Sequence, residues 1–318
     1  MAKTNISATL KKLFIEEDTM PKSLRKGKSL FIFCMVIVAI LNFLVFYVAV
    51  NVNSFVLAFQ KYDRATKDYF FSLDQFKNVF RDISLLSDGE ILPAFYNTMI
   101  YFWLNFLVII PLSFLVSYFL YKKIVGYKFY RVIFYMPSII SAVVLVAVFK
   151  YFILPGGALD SFLIKNFDYR IDNFLLYHDS ATVVMVIYTL WTGFGTNIVL
   201  YQSAMKRVPE SVVEAAKLDG VTLFQEMFSI ITPLVWPTVV STLTIAMSAF
   251  FTASGPILLF TEGTAETSTI SFLIYWKTYK EIAYNYAAAI GIVCTIVGLP
   301  IVFAGRWFIN RIFDVVEY

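Results

Sequence analysis

The chain has 318 residues, of which 59% are hydrophobic, 18% aromatic and only 15% charged. An ordinary soluble domain is nearer 45–50% apolar and about 25% charged, so these proportions describe a membrane protein. A formal charge of +4, from 26 Lys/Arg and 22 Asp/Glu, is too even to imply a nucleic-acid partner. Cys34 and Cys294 lie in apolar runs, where small buried hydrophobes are expected, and His178 is the only histidine; nothing here supports a disulfide framework, thiol catalysis or a metal site.

In chain order, residues 1–28 are polar, and Leu10, Leu13 and Phe14 suggest a short interfacial helix. The first apolar run is too long for a signal-peptide core, so it is expected to remain as an anchor. Gly27-Lys28-Ser29 imitates the end of a phosphate-binding loop, but Lys22 stands where that loop needs its first glycine. Six runs then follow that are almost free of charge: Ser29–Val50, Ala94–Tyr121, Val132–Phe149, Ala181–Met205, Pro233–Thr261 and Ile282–Gly305. A helix needs about 20 apolar residues to cross the hydrocarbon core, and helices satisfy their own backbone there. Val132–Phe149 is short and can borrow Tyr151–Leu154 beyond Lys150. The expected fold is an all-α membrane protein with six transmembrane helices: a polar N-terminal segment, 1–28, and a six-helix domain, 29–318.

The charges between runs set the orientation. Segments 1–28, 122–131, 206–232 and 306–318 carry 16 Lys/Arg and 9 Asp/Glu, while 51–93, 154–180 and 262–281 carry 9 and 13. Positive loops mark the cytoplasmic side, so both termini and the loops 122–131 and 206–232 are expected there.

Two stretches inside the runs combine glycine with polar and aromatic side chains: Trp191-Thr192-Gly193-Phe194-Gly195-Thr196-Asn197 and Phe250-Phe251-Thr252-Ala253-Ser254-Gly255-Pro256. Polar groups at mid-membrane depth are costly unless they face partners or water. Close helix packing is the other explanation. The acidic residues fall in the loops rather than the spans. No convergent carboxylates or organised nucleophile are visible, so an intramembrane enzyme has no support.

The loop 206–232 is more than a turn. Pro209 suits a first helical turn, Glu210 complements the helix dipole, Gly220 is placed to end the helix, and Thr222 with Gln225 fits a capping box. Val212, Ala215 and Ala216 share one face, and Glu210, Glu214 and Lys217 another. Such a helix–turn–helix suits docking of a cytoplasmic partner. It equally suits an amphipathic loop lying against the bilayer or its own bundle.

The run Glu214-Ala215-Ala216-Lys217-Leu218-Asp219-Gly220, followed by Ile230-Ile231-Thr232-Pro233, resembles the EAA signature of bacterial ABC importer permeases, with Thr232 where that family usually has leucine. Tyr96-Asn97-Thr98, Phe129-Tyr130-Arg131 leading to Met136-Pro137, Ser72-Leu73-Asp74-Gln75-Phe76 (Ser for Gly and Gln for Asn) and Tyr286-Ala287-Ala288-Ala289 are similar to further family elements. The resemblance covers most of residues 50–310, and the order and spacing resemble the carbohydrate branch of maltose-permease type.

The resemblance implies half of a heterodimeric pore, paired with a second homologous permease. Two copies of a cytoplasmic ABC ATPase and an extracellular solute-binding protein complete the importer in a bacterial cytoplasmic membrane. ATP and Mg would be bound by the ATPase, leaving no cofactor in this chain. Glu214, Ala215, Ala216, Asp219 and Gly220 are the residues implied for ATPase coupling. Thr189, Trp191, Gly193, Thr196, Asn197, Phe251, Thr252 and Ser254 are those implied for a sugar path, since aromatic faces and neutral hydrogen-bonding groups suit sugars. The rival readings are a permease for another neutral polar solute and an ATP-independent secondary carrier. The fourth and fifth runs have no Lys or Arg before Lys206, which favours a neutral solute.

Overall fold

A computed structural model describes residues 22–62, 68–85, 88–309 and 311. The expected helix at Leu10, Leu13 and Phe14 lies outside the described residues. Among those described, six helices are long and apolar enough to cross a membrane: Leu30–Ala58, Ile91–Tyr121, Ala142–Phe167, His178–Met205, Leu223–Ser248 and Tyr284–Ile309. They are called spans one to six. The chain divides into two compact units, the first ending at Leu57 and the second beginning at Ala58.

Span one runs eight residues beyond the apolar run predicted for it. It is formed by the later part of helix Lys22–Phe43, a widened π-helical turn Leu44–Ala49 and helix Val50–Ala58. The extension contains Asn51 and Ser54, whose side chains donate back to Tyr47 O at 2.7 Å and Val50 O at 3.0 Å. Polar side chains that bond their own preceding turn can stay in an apolar helix. Cys34 is exposed rather than buried.

The described residues of the second unit are mostly helical and include one hairpin, a departure from the all-α expectation. Gln60–Tyr62 pairs antiparallel with Tyr69–Phe71, Gln60 opposite Phe71. The helix Asp74–Ser84 follows, and its Asp82 caps the start of span two. The carboxylate of Asp82 accepts the backbone N–H groups of Glu90 and Ile91, both at 3.1 Å, and the Tyr286 hydroxyl at 3.3 Å. A carboxylate there meets free N–H groups and the positive end of the helix dipole.

Spans two and five each contain a π-helical turn just ahead of a proline: Leu104–Ile109 before Pro111, and Glu226–Ile231 before Pro233. Proline removes a backbone donor, and a widened turn is one way a helix absorbs the disruption. Thr232, the departure from the family's leucine, donates its hydroxyl to Met227 O at 2.7 Å within the second of these turns.

Two predicted runs change character. Val132–Phe149 is not one helix: Tyr127–Ile139 ends at Ile140, which is extended at φ −80° and ψ 143°, and Ala142–Ile153 begins afresh. The candidate third span, Ala142–Phe167, therefore overlaps only the second half of the predicted run. The fifth run, Pro233–Thr261, ends as a helix at Ser248. Phe250–Pro256 forms an irregular turn past that end, with Phe250 against Phe102 of span two and Phe251 against Gly298 of span six, and Gly255 and Pro256 do not favour resuming a helix within it. Gly255 is pressed against Tyr101, whose ring would lie 2.5 Å from an added Cβ.

Packing concentrates in three main clusters. One joins Ile110, Tyr118, Tyr201, Met205, Val213, Met227 and Ile231 at the end of the bundle that carries loop 206–232. A second gathers Tyr101, Leu145, Met185, Tyr188, Ile257, Phe260 and Phe272. A third joins helix Asp74–Ser84 to spans two and six through Val79, Ile91, Ala94, Ala289 and Ile290.

Two acids are buried near the ends of the apolar helices. Asp160, on the separate helix Ala158–Phe167, and Glu226, in the turn that leads from loop 206–232 into span five, are both 3% exposed. Each has its charge satisfied: Asp160 accepts the N–H groups of Gly156 at 2.8 Å and Ile171 at 3.0 Å, and Glu226 pairs with Lys122. Buried charges persist in this way when paired and hydrogen-bonded.

Candidate functional site

The loop between spans four and five folds as a rigid device. Pro209, at φ −58° and ψ 131°, is the N-cap rather than a first-turn residue, and the helix runs Glu210–Leu218. Asp219 is the C-cap and Gly220 takes φ +73°. Gly220 N–H donates to Lys217 O at 3.2 Å and Val221 N–H to Ala216 O at 3.1 Å. That pair of bonds is a Schellman ending, which needs the left-handed residue Gly220 supplies.

The predicted capping box is present: Thr222 N–H donates to Gln225 Oε1 at 3.0 Å and Gln225 N–H to Thr222 Oγ1 at 3.4 Å. An alanine at Gly220 meets no atom within 4 Å, so its cost is backbone alone. Gly220→Ala is expected to lose about 1–2 kcal/mol, and Gly220→Asn less, since asparagine tolerates this conformation. Thermal unfolding of the full chain in detergent reads the order; equal stability of all three would contradict it.

The helix has a clear inside and outside. Val213 and Ala216, 6% and 5% exposed, turn inward, Val213 joining the cluster around Tyr118 and Met205. Ala216 was expected on the docking side and instead shares the inner face with Val213, three residues before it. Glu214, Ala215, Asp219 and Gly220 remain exposed. Among the described residues Glu214 has no ion-pair partner in this chain.

Beside them stand large apolar side chains that sequence reasoning missed. Leu218 is 89% exposed, and Leu223 and Phe224 are also exposed. The only signal in the sequence was their place on either side of Gly220, since the face read there, Val212, Ala215 and Ala216, is not the Val213–Ala216 face that is buried.

The loop is braced from below. Lys122, at the end of span two, donates to both carboxylate oxygens of Glu226 at 2.8 and 2.9 Å. Tyr118, one turn earlier, donates its hydroxyl to Leu223 O at 2.9 Å. Movement of the short helix Leu223–Gln225 is therefore tied directly to span two.

The second set of predicted residues is divided. Thr189, Gly193, Thr196 and Asn197 share one helix face by three-and-four spacing. Gly193 is taken up by packing: an added Cβ would lie 2.8 Å from Ile109 Cδ1. Thr189 bonds its own helix, donating to Met185 O at 2.8 Å. Thr196 is exposed and Asn197 half-buried, so they form the open part of this face.

Trp191 lies on the second cluster, its ring 6.2 Å from Phe149 and 6.1 Å from Tyr188. Ala253, within the Phe250–Pro256 turn, packs on the same cluster, which brings the two predicted stretches together. Phe251 lies tilted beside Phe95, ring centres 6.0 Å apart, and covers Gly298, Thr252 is exposed, and Ser254 shares a 3.0 Å hydrogen bond with Thr269. Lys150 donates to Leu259 O and Phe260 O, at the carbonyl end of the helix Ile257–Phe260. Among the described residues no three His, Cys, Asp or Glu side chains are grouped to hold a metal.

Comparison with known proteins gives a consistent picture. The family model described as "binding-protein-dependent transport system inner membrane component" matches residues 109–314. The multiple sugar-binding transport system permease protein MsmF of Streptococcus mutans is 28% identical over 220 residues, 67% of this chain and 74% of that protein. The arabinooligosaccharides transport system permease protein AraP of Bacillus subtilis is 25% identical over 268 residues, 82% of this chain and 83% of that protein. A crystal structure of a bacterial alginate ABC transporter, in complex with an alginate pentasaccharide-bound periplasmic protein, contains a chain of the same fold. The TM-score is 0.77 at 22% identity, covering 92% of this chain and 98% of that one.

Proposed function

This chain belongs to the family of binding-protein-dependent transport system inner membrane components, and from that premise we propose that it is one half of the translocation pore of an ATP-driven sugar importer. It is a transport subunit and not an enzyme. ATP hydrolysis falls to a pair of cytoplasmic ATPases, and an extracellular binding protein delivers the sugar. A second permease of the same family completes the pore, in a bacterial cytoplasmic membrane with both termini inside, as the distribution of Lys and Arg favours.

The observation that carries this reading is the loop helix Glu210–Leu218. It is closed at its C-terminus by the Schellman turn at Gly220, rests on Val213 and Ala216, and offers outward a carboxylate, a small residue and exposed apolar groups. A rigid mixed patch of that kind suits a protein partner, with desolvated apolar anchors and a charge for register. Glu214 would meet a basic group of the ATPase. The Lys122–Glu226 and Tyr118–Leu223 contacts would carry the ATPase's closing motion into span two.

The named relatives support sugar as cargo. The open face at Thr196 and Asn197, with Trp191, Phe251, Thr252 and Ser254 nearer the second cluster, would form its path. The test is reconstitution of this chain with its partner permease and ATPases in liposomes. Uptake of a sugar that stabilises the cognate binding protein should require ATP, and uptake that persists without ATP would favour the secondary-carrier reading.

A further inference from the structure

Beside the coupling loop lies a cavity of about 310 Å³ between the ends of spans two and four and the helix Tyr127–Ile139. Its polar lining is Tyr121, Lys123, Tyr127, Arg131, Gln202 and Lys206. The volume is at the lower end of the ~300–1,000 Å³ typical of ligand sites.

The hydrogen-bond inventory gives the cavity a sign. Gln202 is 5% exposed, and its Oε1 accepts the Tyr135 hydroxyl at 2.8 Å. The Nε2 of the same amide is a buried donor without a partner. Arg131 Nε is a second buried donor without a partner. Among the described residues Lys123, Arg131 and Lys206 enter no ion pair. The nearby acids are Glu226, which is committed to Lys122, and Glu210, and both are close enough to act on Tyr121 in the cavity wall without forming an ion pair with Lys123, Arg131 or Lys206. Buried polar groups are normally satisfied, so unpartnered donors beside three cations ask for an acceptor-rich anion.

We propose that this cavity binds the phosphate of an anionic phospholipid in the cytoplasmic leaflet. Arg131 and Gln202 would donate from its wall, and Lys123 and Lys206 from its rim. The leaflet follows from the orientation given above; the site itself does not depend on the importer reading. A lipid is favoured over a free phosphate by the surroundings. On the same helix as Arg131, Phe129, Tyr130 and Val132 are exposed apolar groups, so acyl chains have a surface beside the charges. Basic pockets between membrane helices on this side are suited to anionic headgroups, and tyrosines to the membrane interface.

The experiment is native mass spectrometry of the full chain, delipidated in detergent. It is titrated separately with dioleoylphosphatidylglycerol, dioleoylphosphatidylcholine and inorganic phosphate. The wild type should hold one phosphatidylglycerol at least about tenfold more tightly than phosphatidylcholine, a difference of about 1.4 kcal/mol. Lys123→Gln/Lys206→Gln should remove most of that preference. Arg131→Gln should do the same, and the lysine pair keeps the test valid if the arginine variant does not fold. Equal retention of the two lipids, or a preference unchanged in the lysine variant, overturns the proposal. Tight binding of inorganic phosphate without any lipid preference also overturns it, and would reassign the cavity to a small soluble phosphate compound.

Discussion

Glu226→Ala is expected to destabilise the chain by about 3–5 kcal/mol, because it leaves the Lys122 ammonium without its bidentate partner in a buried setting. Glu226 is 3% exposed and the side chain of Lys122 only 16%, so solvent can compensate little. The effect should be larger on coupling than on folding. The pair joins the last turn of span two to the start of span five, just where the loop returns to the bundle. A charge exchange, Lys122→Glu with Glu226→Lys, should recover much of what each single reversal loses. ATP hydrolysed per sugar taken up, measured in the reconstituted importer, separates the two roles. A coupling brace predicts a raised ratio in any single variant that still assembles. An unchanged ratio with merely less protein would make the pair a stability element alone.

Glu214→Lys is expected to abolish uptake, by at least about tenfold, while leaving the unfolding temperature of the chain nearly unchanged. Surface substitutions away from partnered groups usually stay within about ±0.5 kcal/mol, and Glu214 is exposed without an ion-pair partner among the described residues. Its loss therefore has to be felt through another molecule. Opposed like charges at an interface cost several kcal/mol, ample for a tenfold loss. Leu218→Ser should act in the same direction, since an 89% exposed leucine contributes nothing to the chain's own core. If Glu214→Lys unfolds the chain or leaves uptake intact, the loop is structural and the docking reading fails.

Much of this molecule was legible in its sequence because the bilayer demands long apolar helices and the loop uses local capping chemistry. Thr222 with Gln225, and Gly220 at its left-handed position, are set by residues within one turn, which periodicity and residue type capture. What escaped depended on contacts far apart in the chain. Glu226 looked like a loop acid because its partner Lys122 is 104 residues away. Ala216 looked free to dock because nothing local says which face of a nine-residue helix meets Met205 and Met227. Gly193 looked like a cavity residue, yet it makes room for a side chain of span two, Ile109, as Gly255 does for Tyr101. The break after Pro137 shortened the third run because Ile140 adopts an extended backbone that hydropathy cannot see.

The most direct measurement is co-purification of the tagged chain from its native membrane in mild detergent, wild type and Glu214→Lys side by side. The wild type should bring down a second six-span permease and a cytoplasmic ATPase, and Glu214→Lys should keep the permease and lose the ATPase. A wild-type chain that purifies alone and moves sugar into liposomes without ATP would contradict the account.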